Sequence, residues 1–236
     1  TAGLIDGTLD VNGHDGAAVA QAFEEYAVEA SIAKVAGTEA LDYVLDENVQ
    51  IHGGNGFVHE YMAERYYRDA RVNRIFEGTN EINRLLIPGM LVRRALKGEL
   101  ELIPAAKRLQ DELLGPSALA PASGDQVALE EEARAVTAFK KVALMVLGTA
   151  MQTYGQKLTD EQEILSYTAD IMMETYAAES AVLRARDALA SGNGLANLHE
   201  AAARVFVNDA AQRVEQAARS ALAAMNEVGM GAHAHS

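Results

Sequence analysis

Apolar residues recur at helical spacing along most of this chain. From Ala17 they fall at Val19, Phe23, Tyr26, Ala30, Ala33, Ala36, Leu41, Val44, Leu45 and Val49, which predicts one long helix stopped by Gly53-Gly54. "HGGNGF" then reads as a tight loop, because glycine permits positive φ and close backbone approach. A short helix is expected from Glu60 to Arg71, followed by an irregular stretch to Glu77. Thr79 or Asn80 is the expected N-cap of the next helix, with apolar positions Ile82, Leu85, Leu86, Met90, Leu91 and Leu96. Pro88-Gly89 inside that run predicts a kink, since proline removes a backbone donor. Another short helix is expected over Leu102–Leu114. Upstream, Asp10–Gly16 ("DVNGHDG") reads as a turn-rich loop. The opening "TAGLIDG" has no initiator Met, cap or entry turn. It is expected to be the tail of an element that begins outside this chain, which makes the chain a piece of something larger.

"GPSALAPASGD", Gly115 to Asp125, breaks the pattern with two prolines, small residues and little charge, and it predicts a linker. Beyond it lie helical patterns over 126–154, 160–190 and 195–228. Their separators, "GQKLTD" and "SGNG", are short, so an antiparallel up-down bundle is expected. The last helix carries a stripe of Leu198, Ala202, Phe206, Ala210, Val214, Ala217, Ala221, Met225 and Val228. The expected organisation is all-α: a helical module over 1–114, a linker over 115–125 and a helical module over 126–236.

Composition agrees with this class. Of 236 residues, 49% are hydrophobic, only 6% are aromatic, and Pro occurs four times, as suits helices around a sizeable core. The formal net charge of −14 disfavours nucleic acid and anionic membranes as partners. The densest basic cluster, Arg65, Arg68, Arg71 and Arg74, has no aromatic stacking pattern with it. Cysteine is absent, so no disulfide, thiolate nucleophile or cysteine metal site is available, which fits a reducing cytoplasm. The apolar run Val142–Leu147 is too short for a transmembrane segment, and no signal peptide opens the chain.

Few residues offer chemistry. His52 and His59 flank the glycine loop, but their spacing matches no metal template, and no metal is expected. "GGNGF" lacks the lysine and hydroxyl of a phosphate loop and follows a helix, not a strand. Glu130-Glu131-Glu132 sits in a first helical turn, where acid is favourable. Glu77 remains, in "RIFEGTNEINR". Two readings stand side by side: an acid near a helix start, or a general base whose pKa is raised by apolar neighbours at a bend.

"QIHGGNGFVHEYMAERYYRDARVNRIFEGTNEINR", Gln50 to Arg84, resembles the signature of the acyl-CoA dehydrogenases. A Gln-x-x-Gly-Gly-x-Gly-Phe loop, an Arg-x-x-Arg-Asp helix and Phe-Glu-Gly-Thr occur in the family's order. The resemblance spans about Thr1 to Leu114, the latter part of that family's C-terminal helical domain. It implies oxidation of a fatty acyl-CoA to the trans-2-enoyl-CoA, as in fatty acid β-oxidation. The base removes the pro-R α-proton while the β-hydrogen leaves as hydride to N5 of FAD.

By this resemblance Glu77 matches the catalytic base and Gly78 a residue near the substrate. Thr79, Asn80 and Glu81 match a stretch touching the flavin nucleotide. Gln50, Ile51, His52, Gly53 and Gly54 match a loop that contacts FAD, typically that of a neighbouring subunit. Arg68 and Asp69 match scaffold positions. The segment beyond the linker resembles the appended helical domain of the very-long-chain type and its bacterial relatives, which implies a dimer in a bacterial cytoplasm. An electron-transfer flavoprotein is the implied acceptor. The family's N-terminal helical domain and β-domain are not in this chain, so the isolated chain is expected to be inactive. The competing class is a helical adaptor that keeps the scaffold without catalysis, and Glu77 argues against it, because an adaptor needs no carboxylate at that bend.

Overall fold

The computed structural model describes residues 1–13, 15–114 and 128–232, and these contain helices and turns but no strand. Residues 1–90 and those from Leu91 onward form two compact units.

In the first unit, α1 (Ala2–Asn12) ends at Gly13, whose φ of 91° is open only to glycine at little cost. The loop expected from Asp10 is thus shorter, since residues 10–12 stay helical. Asp15 caps α2 (Gly16–Glu25), its carboxylate accepting from the N–H groups of Ala17 and Ala18 at 2.9 and 2.8 Å. The single helix expected from Ala17 is two helices. Tyr26 breaks it at φ −100° and ψ 22°, and α3 runs from Ala27 to His52. The Tyr26 hydroxyl is hydrogen-bonded to Thr8 of α1 at 3.0 Å, a tertiary tie that periodicity does not reveal.

Along α3 the buried residues are Val28, Ile32 and Val35. Tyr43, Val44 and Ile51, farther along, are exposed. Gly53, at φ 58°, ends the helix where expected and starts a 3₁₀ turn over Gly53–Phe57. Gly56 is buried in that turn, and a Cβ there would lie 2.4 Å from the Val49 carbonyl oxygen. Helix α4 covers Ala63–Arg71, starting three residues later than expected. The Tyr61 N–H turns back to the Val58 carbonyl, and the helix begins where Ala63 becomes buried. A 3₁₀ turn, Val72–Arg74, leads to the bend at Glu77. Helix α5 (Asn80–Leu96) continues through buried Pro88.

The second unit holds the end of α5, then α6 (Leu102–Leu114), α7 (Glu130–Tyr154), α8 (Gln162–Ala190) and α9 (Ala196–Ala232). The long helices start within about four residues of the expected positions. Residues 126 and 127, the linker Gly115–Asp125, His14, His233 and His235 lie outside the described residues. Helices α7, α8 and α9 pack on one another. Their core includes Phe139, Leu147, Ile164, Leu165, Ile171, Val207 and Val214. Helix α6 approaches α7 at Gly148, where a Cβ would stand 2.8 Å from that of Ala106.

The stripe on α9 needs correction in its first half. Ala203, Val207, Ala210, Val214, Ala217, Ala221 and Met225 are buried, while Leu198 is exposed. Steps alternating between three and four residues stay on one face. A run of steps of four, as in 198–202–206, drifts around the helix. Phe206 instead lies under the Arg213 guanidinium, 5.5 Å from its ring centre.

Candidate active site

The bend before α5 is unusual in its backbone. Glu77 and Gly78 are both left-handed, at φ 55° and 77°. Thr79 is the N-cap that the sequence offered as one of two candidates. Its hydroxyl accepts from the Ile82 N–H at 3.2 Å, and the helix begins at Asn80. The acid of the first turn is Glu81. Its carboxyl lies below the ordinary glutamate range. Its own backbone N–H holds it down, burial pushes back, and the Thr79 hydroxyl and the charges of Arg84 and Arg74 add to the lowering. Glu77 stands ahead of the cap, so it does not serve the helix start. Its carboxylate is exposed, and Ile75 and Phe76 beside it are 54% and 48% exposed. The apolar shielding expected from the sequence is therefore not supplied by these two neighbours.

Behind the bend lies a polar network. Asn80, fully buried, donates to Thr38 Oγ1 at 3.0 Å and Glu39 Oε1 at 3.1 Å. Its Oδ1 accepts from Lys34 Nζ at 2.7 Å. Lys34 Nζ and Asn83 Nδ2 both donate to the Gly78 carbonyl, at 2.8 and 2.9 Å. Arg84 forms a two-pronged pair with Glu39, 2.6 and 2.9 Å. Burial pushes the Glu39 carboxyl up, but the Arg84 hydrogen bond and charge, the Asn80 hydrogen bond and the Arg74 charge outweigh it and hold it below its usual range. Arg74 also bonds Asp42 at 2.7 Å. The bend is thus fastened to α3 by buried and half-buried polar groups. The sequence singled out Asn80 but not Lys34, Thr38 or Glu39, which no local pattern marks.

The glycine loop is built for close approach. Gln50, Ile51, His52, Gly53 and Gly54 are exposed. Around Gly53 and Gly54 nothing lies within 4 Å of where a Cβ would stand. His52 Nδ1 is hydrogen-bonded to the Asn48 carbonyl at 2.8 Å, and His59 pairs with Glu64 at 2.9 Å. No group of three or more metal-ligating side chains occurs among the described residues. Arg68 lines a groove of about 610 Å³ with Val49, Phe57, His59, Tyr67 and Arg71, while Asp69 lies 3.8 Å from Arg65. No described helix is long and apolar enough to cross a membrane.

Two family models, both described as "Acyl-CoA dehydrogenase, C-terminal domain", match residues 14–91 and 138–231. A probable acyl-CoA dehydrogenase of Bacillus subtilis (strain 168) is 49% identical over 214 residues, 90% of this chain and 36% of the relative. The short-chain specific acyl-CoA dehydrogenase of Rattus norvegicus mitochondria is 52% identical over 65 residues, 28% of this chain and 16% of that one. The crystal structure of a Bacillus anthracis acyl-CoA dehydrogenase complexed with FAD superimposes with a TM-score of 0.88 at 45% identity, covering 94% of this chain and 38% of that one. The chain belongs to the acyl-CoA dehydrogenase family and corresponds to its C-terminal helical part. It spans a little over a third of the length of the Bacillus relatives.

Proposed function

We propose that this chain is the base-bearing C-terminal part of an FAD-dependent dehydrogenase that converts a fatty acyl-CoA to the trans-2-enoyl-CoA in β-oxidation. The observation that carries this reading is the Glu77 bend: an exposed carboxylate on two successive left-handed residues, outside the helix cap, with a buried network behind it. Strain of this kind persists only where surrounding structure enforces it, and it gathers at functional sites.

Glu77 takes the α-proton of the thioester and becomes a neutral acid. Gly78 would lie beside the substrate, and a Cβ there would stand 3.1 Å from Asn83 Nδ2. Bound FAD supplies the acceptor for the β-hydrogen, which leaves as hydride. Gln50–Gly54 would hold FAD through an exposed main chain that no side chain crowds at Gly53 and Gly54. Thr79 and Glu81 would form the stretch along the flavin nucleotide, with Asn80, buried behind them, fastening it to α3. Because Glu77 is exposed here, exclusion of water from it falls to the bound acyl chain and to parts of the enzyme beyond this chain. These residues are one wall of a site, so the chain alone binds FAD weakly and does not catalyse.

The module over 126–236, joined through 115–125, is an appended helical domain of the very-long-chain type. The two family matches, 14–91 and 138–231, fall on either side of that joint. A cytoplasmic dimer that passes electrons to an electron-transfer flavoprotein completes the proposal.

The test is Glu77→Gln in the full-length enzyme. It should keep bound flavin while anaerobic flavin reduction by palmitoyl-CoA falls about a thousandfold, within the range seen for loss of a positioned base. Bleaching at the wild-type rate would place the base elsewhere.

A further inference from the structure

We propose that Lys34 is a positioning residue for the Glu77 base: by pinning the Gly78 carbonyl it fixes the direction in which the Glu77 side chain leaves the bend. This rests on Glu77 being the base, as proposed above.

The direction of the Glu77 carboxylate is set by two left-handed residues in succession, Glu77 at φ 55° and Gly78 at φ 77°. Glycine adopts that conformation freely and equally adopts others, so Gly78 by itself fixes nothing. What selects one conformation is the fate of its carbonyl. Lys34 Nζ, reaching from α3, donates to that oxygen at 2.8 Å, and Asn83 Nδ2 does so at 2.9 Å. The same ammonium donates to Asn80 Oδ1 at 2.7 Å. Asn80 is fully buried, and its amide nitrogen is held by Thr38 and Glu39 of α3. One cation therefore joins the main chain of the bend to an anchored residue of α5.

Both acceptors are neutral oxygens, whereas nearby Arg74 and Arg84 are matched to the carboxylates of Asp42 and Glu39. A charged donor makes the stronger hydrogen bond, and a long stem lets one atom serve two acceptors. Without it the Gly78 carbonyl keeps only the neutral Asn83 donor and loses its tie to Asn80 and α3, so the peptide after Gly78 is held less tightly and the base leaves its line toward the substrate. Misplacement of a reacting group by about 1 Å is enough to cost on the order of a hundredfold in rate.

The experiment compares Lys34→Met, Lys34→Arg and Glu77→Gln in the full-length flavoprotein. Single-turnover flavin reduction, acyl-CoA affinity and flavin content are measured for each. Lys34→Met should keep its flavin and its affinity for palmitoyl-CoA, while reduction slows about tenfold to a hundredfold. Lys34→Arg, which restores a charged donor, should recover part of the rate. The pH dependence of reduction should keep its shape, because the base is unchanged. If Lys34→Met does not accumulate as a folded flavoprotein, Lys34→Gln, with one amide donor, carries the same comparison. Wild-type rates in the folded variants, or unfolding of both Met and Gln variants, would overturn the proposal and leave Lys34 a stability residue. Full activity of Glu77→Gln would overturn the underlying assignment of the base instead.

Discussion

Two residues other than glycine are left-handed among those described, Glu77 at φ 55° and Leu129 at φ 59°, and they are held there in opposite ways. The conformation costs an L-residue roughly 1–2 kcal/mol. Leu129 immediately precedes α7 and is 1% exposed. Burying a leucine contributes about 1.5–3 kcal/mol, so its own side chain offsets the strain. Arg186 secures the turn by donating to the carbonyls of Ala128 and Leu129, at 3.0 and 3.3 Å. The Glu77 side chain is exposed and offers no such return. Its bend is maintained by neighbours, Lys34, Asn80 and Asn83, that hold the following carbonyl and the start of α5. Strain that a residue offsets by its own burial is architecture. Strain placed on an exposed carboxylate and supported from behind is the arrangement expected where the carboxylate must face something.

The comparison breaks most visibly in activity. Leu129→Ala should leave flavin reduction per folded molecule unchanged, against the thousandfold loss expected for Glu77→Gln. Stopped-flow absorbance on both variants decides it, and comparable losses would erase the distinction. Stability should show the reverse. Leu129→Ala should cost about 2–5 kcal/mol, as for other buried leucines. Glu77→Ala should stay within about 0.5 kcal/mol of the parent, as for most surface changes. Urea unfolding measures both.

A smaller effect sharpens the argument about strain. Glu77→Gly removes the Cβ conflict but adds freedom to the unfolded chain. It should therefore change stability by less than about 1 kcal/mol. Leu129→Gly loses its buried side chain and should cost more than twice that.

The least effect is in pH dependence. The Glu39 carboxyl is lowered in the folded state despite the opposing effect of burial, through Arg84, Asn80 and Arg74. The folded form therefore binds fewer protons than the unfolded one. The stability this contributes is fully present above the ordinary glutamate pKa and is lost as pH falls through the depressed value. Glu39→Gln should flatten that acid limb in unfolding curves taken between about pH 3 and pH 7. An unaltered limb would mean that the network behind the bend carries little weight.

Much of this was legible in the residues. Spacing marked most of the helices, Gly53 marked the end of α3, and Thr79 was one of two candidate caps, because these signals are local. The break at Tyr26 was not legible, since no glycine or proline marks it and the partner of the Tyr26 hydroxyl, Thr8, lies in another helix. The first half of the α9 stripe was misjudged because uniform steps of four drift off the packed face. At the site, composition left Glu77 between two readings, and the motif from Gln50 to Arg84 tipped the balance. Its left-handed backbone was hidden, as only Gly78 hinted at it. Lys34 was invisible for a simple reason: a lysine on a helix ordinarily keeps its charge in water, and nothing local marks one that turns toward a carbonyl more than forty residues away.

The central claim is that Glu77 removes the α-proton, and exchange of that proton reports on it directly. The full-length enzyme is incubated in D₂O with an acyl-CoA analogue that has an acidic α-position but no β-hydrogen to lose. Deuterium incorporation is followed by mass spectrometry. The wild-type enzyme should wash deuterium into the α-position, and Glu77→Gln, with flavin and analogue still bound, should not do so above the rate in buffer. Exchange at the wild-type rate in Glu77→Gln would contradict the account.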